Sequence, residues 1–190
     1  MLIGKHHQTL DTSNMKDLLT QTRSLAIGVE NALNKQVIME AESSAVYLAM
    51  ASWCMRNGYE KARDFFMAQA DEEREHMKKI FRYVDDMGGQ ASPGHVGKVK
   101  EDFDSFRHVF ECMLDQEIAV SKSINNIVAL AYEEKDFSTV QYLQWFVEEQ
   151  REEVYVARQI VKLFDLVNID GGISVFDIED KLGSIEYKEG

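Results

Sequence analysis

Apolar residues recur at steps of three and four along four long stretches of this chain, and very little interrupts them. The breaks fall at Asn57-Gly58, over residues 88–104, at Glu134-Lys135-Asp136 and over residues 168–172. The only proline, Pro93, and most of the 11 glycines lie in those breaks. Such a pattern predicts an all-α chain, with long helices over about 29–57, 60–87, 104–133 and 137–167. A short amphipathic fifth helix follows over about 174–182, too short to bury its apolar side alone. Docking on its own bundle or on a neighbouring subunit is implied.

The second break sets the topology. Seventeen residues is long for a connection inside a bundle. Extended, it spans roughly 50 Å, more than the length of such a helix. It therefore reads as a crossover that lets the third helix run parallel to the second. Asp104-Ser105 offers capping residues for the third helix. The first 25 or so residues are polar and weakly patterned, and they read, with His6 and His7, as a mobile arm. The chain thus divides into an extension over 1–26, a four-helix bundle over 27–167, and a short helix with its tail over 168–190.

At 190 residues the chain is long enough to bury a sizeable core. A formal net charge of -12 argues against a nucleic-acid partner and suits a protein that handles cations. Cys54 and Cys112 match no metal or redox spacing, so a reducing compartment is expected. Neither a signal-peptide run nor a membrane-spanning stretch is present, which points to a cytoplasmic protein with no membrane partner.

Against this apolar pattern a few acids stand out. On the second helix Glu73 and His76 are three apart, so both leave one face, and that face is the apolar stripe. A carboxylate and an imidazole so placed can hold one transition-metal ion. On the first helix Glu40 and Tyr47 share a face two turns apart, with Gln36 as a candidate partner of Glu40 at the edge of that face. Its apolar stripe reads as Leu33, Val37, Ala41, Ser44, Leu48, Ala51 and Met55. Glu117 lies within the apolar face of the third helix. The fourth helix carries the acidic run Glu148 to Glu153, part of which can face inward.

At 1.5 Å per residue, Glu40 lies roughly 27 Å from the first turn and Glu73 roughly 22 Å from it on the other arm. Glu117 and Glu153 each lie roughly 27 Å from the second turn. Each hairpin therefore brings its two acids to nearly one level. Buried carboxylates gathered there would repel and protonate unless cations compensate them, so the register argues for a dinuclear metal site.

With those residues assembled, the chain resembles the prokaryotic non-haem ferritins from about Leu33 to Leu182. The stretches that carry the resemblance are Leu33-Asn34-Lys35-Gln36 with Glu40 and Tyr47, Asp71 to Met77, and Leu143-Gln144-Trp145-Phe146-Val147 through Glu153. The resemblance implies a ferritin-like four-helix bundle that stores iron in a hollow homo-oligomeric cage of about 24 subunits, the fifth helix lying near the four-fold axes. It implies ferroxidase activity, in which Fe(II) is oxidised by O2 or H2O2 and Fe(III) moves on to a mineral. Carried over residue by residue, it implies a first iron site from Glu40, Glu73 and His76. A second would use Glu73, Glu117 and Glu153, with Glu73 bridging. A third would use Glu72, Glu149, Glu152 and Glu153. Gln150 matches a position beside the centre, and Tyr47 matches the tyrosine proposed in the family to supply an electron. Glu133, Glu134 and Asp136 match an acidic turn that lines the three-fold pore. A second Glu-x-x-His is absent, and Arg74 stands where bacterioferritins place the haem methionine, so no haem is expected. The alternatives are a small di-iron oxidase or peroxidase of rubrerythrin type and a metal-free binding module. The missing rubredoxin-like cysteines and the fifth helix count against the former, and the buried acids against the latter.

Overall fold

The computed structural model describes residues 24–167 and 174–182. The arm predicted at the N-terminus and the last break lie outside the described residues, apart from the few that lead into the first helix. Among the described residues five helices follow in order: α1 (Ile27–Arg56), α2 (Glu60–Asp86), α3 (Phe106–Glu133), α4 (Phe137–Asp165) and α5 (Val175–Leu182). Among the described residues none of them is long and apolar enough to cross a membrane.

Each boundary has a local cause. Asn57 ends α1, and Gly58 takes φ +84°, a left-handed turn that a side chain would strain. Ser105 caps α3 by accepting from the His108 backbone N–H at 3.1 Å. Asp136 does the same for α4, accepting from Thr139 N–H at 3.0 Å and from the Thr139 hydroxyl at 2.5 Å. Both oxygens of Asp136 are therefore engaged in a helix cap, which separates it from Glu133 and Glu134 at the same turn.

α1 and α2 form one antiparallel hairpin, α3 and α4 the other, with α1 beside α3. At the starts of α2 and α3, Tyr59 stacks on Phe106 at 3.8 Å and Phe66 lies 5.0 Å from Phe110. These two helices consequently run parallel, as the long connection predicts. That connection returns along α1. Asn34 donates to Gln90 O at 2.9 Å and accepts from Ser92 N–H at 2.8 Å, and Arg56 reaches Glu101 O at 3.2 Å. At Gly94 the backbone presses so close that a Cβ would meet Ile38 at 2.3 Å, at φ +60°. Only glycine fits there.

The predicted stripe of α1 is out of phase at its outer members. Leu48 and Met55 are exposed, at 47% and 50%, and Ala41 is half-buried. The buried line instead runs through Leu33, Glu40, Tyr47 and Cys54. A residue turns 100° from its predecessor, so 41, 48 and 55 sit a quarter-turn off that line. The polar members of the face, left out of a count of apolar residues, mark its true centre.

α5 docks on its own bundle. Ile178 and Leu182 are buried with the start of α2 and the end of α4. Its Glu179 carboxylate accepts from the backbone N–H groups of Lys61 and Ala62 at 3.1 and 2.9 Å. Those are orphan donors of the first turn of α2, which has no cap of its own. The fifth helix thus acts as a detached cap for the second.

Candidate metal centre

Two apolar clusters fill the bundle, an aromatic one toward the Asn57 turn and a largely aliphatic one toward the Lys135 turn. Between them, on every long helix, lie the acids the sequence singles out. Glu40 and Glu117 are fully buried, and Glu73 and His76 are each 3% exposed. Glu149 and Glu153 are half-buried, and Glu152 is exposed.

Single ligand atoms of Glu40, Glu73 and His76 lie within 4.8 Å of one another. Three of the buried atoms without a hydrogen-bond partner belong to this group: Glu40 Oε2, Glu73 Oε2 and His76 Nδ1. Buried polar atoms of native proteins are nearly always paired, so three orphans at one point form a donor set that fits a cation. His76 Nδ1 stands 3.5 Å from Glu73 Oε2, and the geometry makes no hydrogen bond.

The remaining atoms of the acids are held. Glu40 Oε1 accepts from the Gln36 amide at 2.8 Å. Glu117 Oε1 accepts from the Tyr47 hydroxyl. The Gln150 amide, with its nitrogen turned inward, donates to Glu117 Oε2 at 3.3 Å and to Ser121 Oγ at 3.2 Å. Gln69 donates to Glu72 at 3.0 Å. Neutral amides therefore surround the acids, and they orient charge without cancelling it. A Lys or Arg in their place would compete with any incoming cation.

Burial dominates the protonation of these groups. It raises Glu40 well above the ordinary carboxylate range, and the charge of Glu73 raises it further. It pushes Glu73 to about 8, although a contact with the Glu40 carboxyl works the other way. Glu117 is raised by burial and by the charge of Glu40, and Glu153 by burial and by the charges of Glu117, Glu72 and Glu149. His76 is lowered, chiefly by burial, so it presents a neutral ring fit to ligate. Mutual repulsion of this kind is what two divalent cations remove.

Beside this group a second one forms from Glu72, His76 and Glu149, again within 4.8 Å. It shares two acids with the third set implied by the resemblance and adds the imidazole. Glu152 lies 3.6 Å from the Arg151 guanidinium at the surface. Trp145 packs edge-on against the His76 ring at 5.4 Å, and Lys79 Nζ lies 3.6 Å above the indole.

Several neighbours of the acids escape a search for acids and histidines. Gln36, expected at an edge, is fully buried, and Gln69 is 3% exposed. A spacing signal exists for both: each stands four residues before an inward acid, Glu40 or Glu73. Ser123, on α3, carries no such signal.

Comparisons with known proteins identify the family and the fold. A family model for the ferritin-like domain matches residues 30–167. The probable bacterial non-heme ferritin-like protein of Haemophilus influenzae is 34% identical over 164 residues, covering 86% of this chain and 99% of that one. A bacterial non-heme ferritin of Staphylococcus aureus is 34% identical over 158 residues, covering 83% and 95%. Among solved structures, the open-pore ferritin of Archaeoglobus fulgidus superposes with a TM-score of 0.81 at 31% identity, over 85% of this chain and 99% of that one. The chain belongs to the ferritin family. Iron storage is the general function of that family, and iron is the metal its members bind.

Proposed function

We propose that this protein oxidises Fe(II) at the buried centre and stores the Fe(III) as mineral inside a homo-oligomeric cage of about 24 subunits. The observation that carries the reading is the meeting of three unpartnered ligand atoms, from Glu40, Glu73 and His76, at one buried point. Glu40, Glu73 and His76 take the first Fe(II). Glu73, Glu117 and Glu153 take the second, with Glu73 bridging. Hard carboxylates favour Fe(III), while the single imidazole preserves affinity for Fe(II).

Binding displaces protons from the raised carboxyls of Glu40 and Glu73, because a cation and a proton compete for carboxylate oxygens. Two Fe(II) then give one electron each to O2, which takes up two protons and leaves as H2O2. With H2O2 as oxidant the same two electrons and two protons yield two waters. Tyr47, hydrogen-bonded to Glu117, stands where it can supply the second of the two electrons when a single Fe(II) is bound, and Gln150 keeps Glu117 oriented. Glu72 and Glu149, with Glu152 and Glu153, form a third position on the way out. The centre uses no haem. A reducing cytoplasm, where Fe(II) persists, is the compartment this chemistry requires.

The cage rests on family membership: α5 buries Ile178 and Leu182 against its own bundle, and its Phe176 is 82% exposed. Two measurements test the reading. Stopped-flow absorbance after mixing with Fe(II) and O2 should show a fast phase that consumes about two Fe(II) per chain. No fast phase at any ratio would end the ferroxidase assignment. Light scattering should give the mass of about 24 chains. A stable monomer or dimer with the fast phase intact would leave instead a small di-iron oxidase of rubrerythrin type.

A further inference from the structure

Glu73 and His76 sit one turn apart on a single helix, so the backbone of α2 sets their relative position. Glu40 crosses from α1 and needs something else to hold it. We infer that Gln36 and Ser123 form a positioning device for Glu40, Ser123 fixing the Gln36 amide and Gln36 fixing the Glu40 carboxylate. This rests on the first metal position described under Proposed function.

The chain of contacts is continuous and runs from half-buried Ser123 into the core. The Ser123 hydroxyl of α3 donates to Gln36 Oε1 at 2.5 Å, and Gln36 Nε2 donates to Glu40 Oε1 at 2.8 Å. Gln36 is fully enclosed, as is Glu40. With Oε1 occupied, Glu40 presents Oε2 alone, and Oε2 is the atom without a partner. The amide is well suited to this task. Its nitrogen is a pure donor, so it directs the carboxylate without adding a charge that would repel the metal. Its carbonyl, buried on the far side, would be left unpaired without the Ser123 hydroxyl. Ser123 therefore acts on the metal position only through Gln36. Neither residue touches the metal, and both are positioning residues.

Anaerobic titration of the full-length assembled chain with Co(II), which O2 chemistry does not obscure, tests the device. Visible Co(II) absorption reports both affinity and the presence of the histidine ligand. The variants are Gln36→Met, of similar length but without donors, together with Ser123→Ala, Ser123→Thr and the double change Gln36→Met with Ser123→Ala. Gln36→Met should weaken the position of Glu40, Glu73 and His76 about tenfold, the low end expected for an outer partner of a metal ligand, and Ser123→Ala, one contact further out, about threefold. Ser123→Thr keeps the hydroxyl and should return affinity to within about twofold of the parent. In the Gln36→Met background, Ser123→Ala should cost nothing further, because the two effects run through one contact. Affinity within about twofold of the parent in both Gln36→Met and Ser123→Ala would overturn the inference, even if their unfolding temperatures fell. Equal losses from Ser123→Ala in the two backgrounds would overturn it as well. If Gln36→Met does not assemble, Ser123→Ala against Ser123→Thr decides alone: loss in the first and recovery in the second support the device, and any other result removes it. His76→Ala serves as the control. Should it bind Co(II) as the parent does, the metal position itself is wrong and the device falls with it.

Discussion

The two ends of this bundle and its middle follow opposite rules. At the ends, side chains are apolar and touch one another. Phe110 alone meets the rings of Phe65, Phe66, Phe106 and Phe164. In the middle, Glu40, Glu73 and Glu117 are buried to the same degree, yet they repel one another, and the atoms of Glu40, Glu73 and His76 that face each other have no partners. Without a cation such a belt costs stability, since each charge has lost its water. The difference teaches where the fold comes from. The apolar ends hold the helices in register, and that surplus lets the middle stay destabilised and ready for metal.

Changes that set the two regions against each other test this division. The largest effect is expected in the aromatic end. Phe110→Ala should lower the unfolding free energy by about 3–5 kcal/mol and leave the number of metals bound per chain unchanged. A changed stoichiometry in urea-titrated, refolded protein would show that the ends do more than support.

His76→Ala reverses the pattern. The fast oxidation phase should drop at least about 100-fold, beyond the usual cost of losing an outer partner, while slow mineral-surface oxidation persists. The unfolding temperature should fall only by the lost packing of the ring on Trp145 and Phe146, because Nδ1 has no hydrogen-bond partner to lose. A core histidine satisfied by Glu73 would give the opposite result.

The pH dependence of the metal-free protein sharpens the comparison further. Glu73 is raised to about 8, and Glu40, Glu117 and Glu153 are raised as well. Between the ordinary carboxylate range and about pH 8 the folded chain therefore holds more protons than the unfolded one. Stability consequently falls as pH rises through that window. Calorimetry should show a lower melting temperature near pH 8 than near pH 5.5, and Zn(II) should flatten the difference. A flat metal-free profile would mean the belt costs nothing.

A smaller effect belongs to the cap supplied by α5. Glu179→Ala should cost about 1 kcal/mol and free the first turn of α2, seen as faster amide exchange at Lys61 and Ala62, with oxidation unaltered. The smallest effect on the first turnover is expected from Glu149→Ala. Its initial fast phase should match the parent, and only later turnovers and total iron per chain should change. Loss of the initial phase would move Glu149 into the dinuclear pair.

Much of this was legible in the chain itself. Helical periods and their breaks determine where helices begin and end, because those depend on neighbours three and four residues away. The same counting exposes Glu73 and His76 on one face and levels the acids of each hairpin, since rise per residue is constant. Three things only the tertiary structure decided. The rotation of α1 turned Leu48 and Met55 outward, and it depends on which neighbour each face meets. The cap that Glu179 gives to α2 joins residues more than a hundred positions apart. The contact of Ser123 with Gln36 depends on the direction of the crossover that sets α3 against α1. Local spacing carries no information about such partners, because a hydrogen bond between helices is a property of their packing.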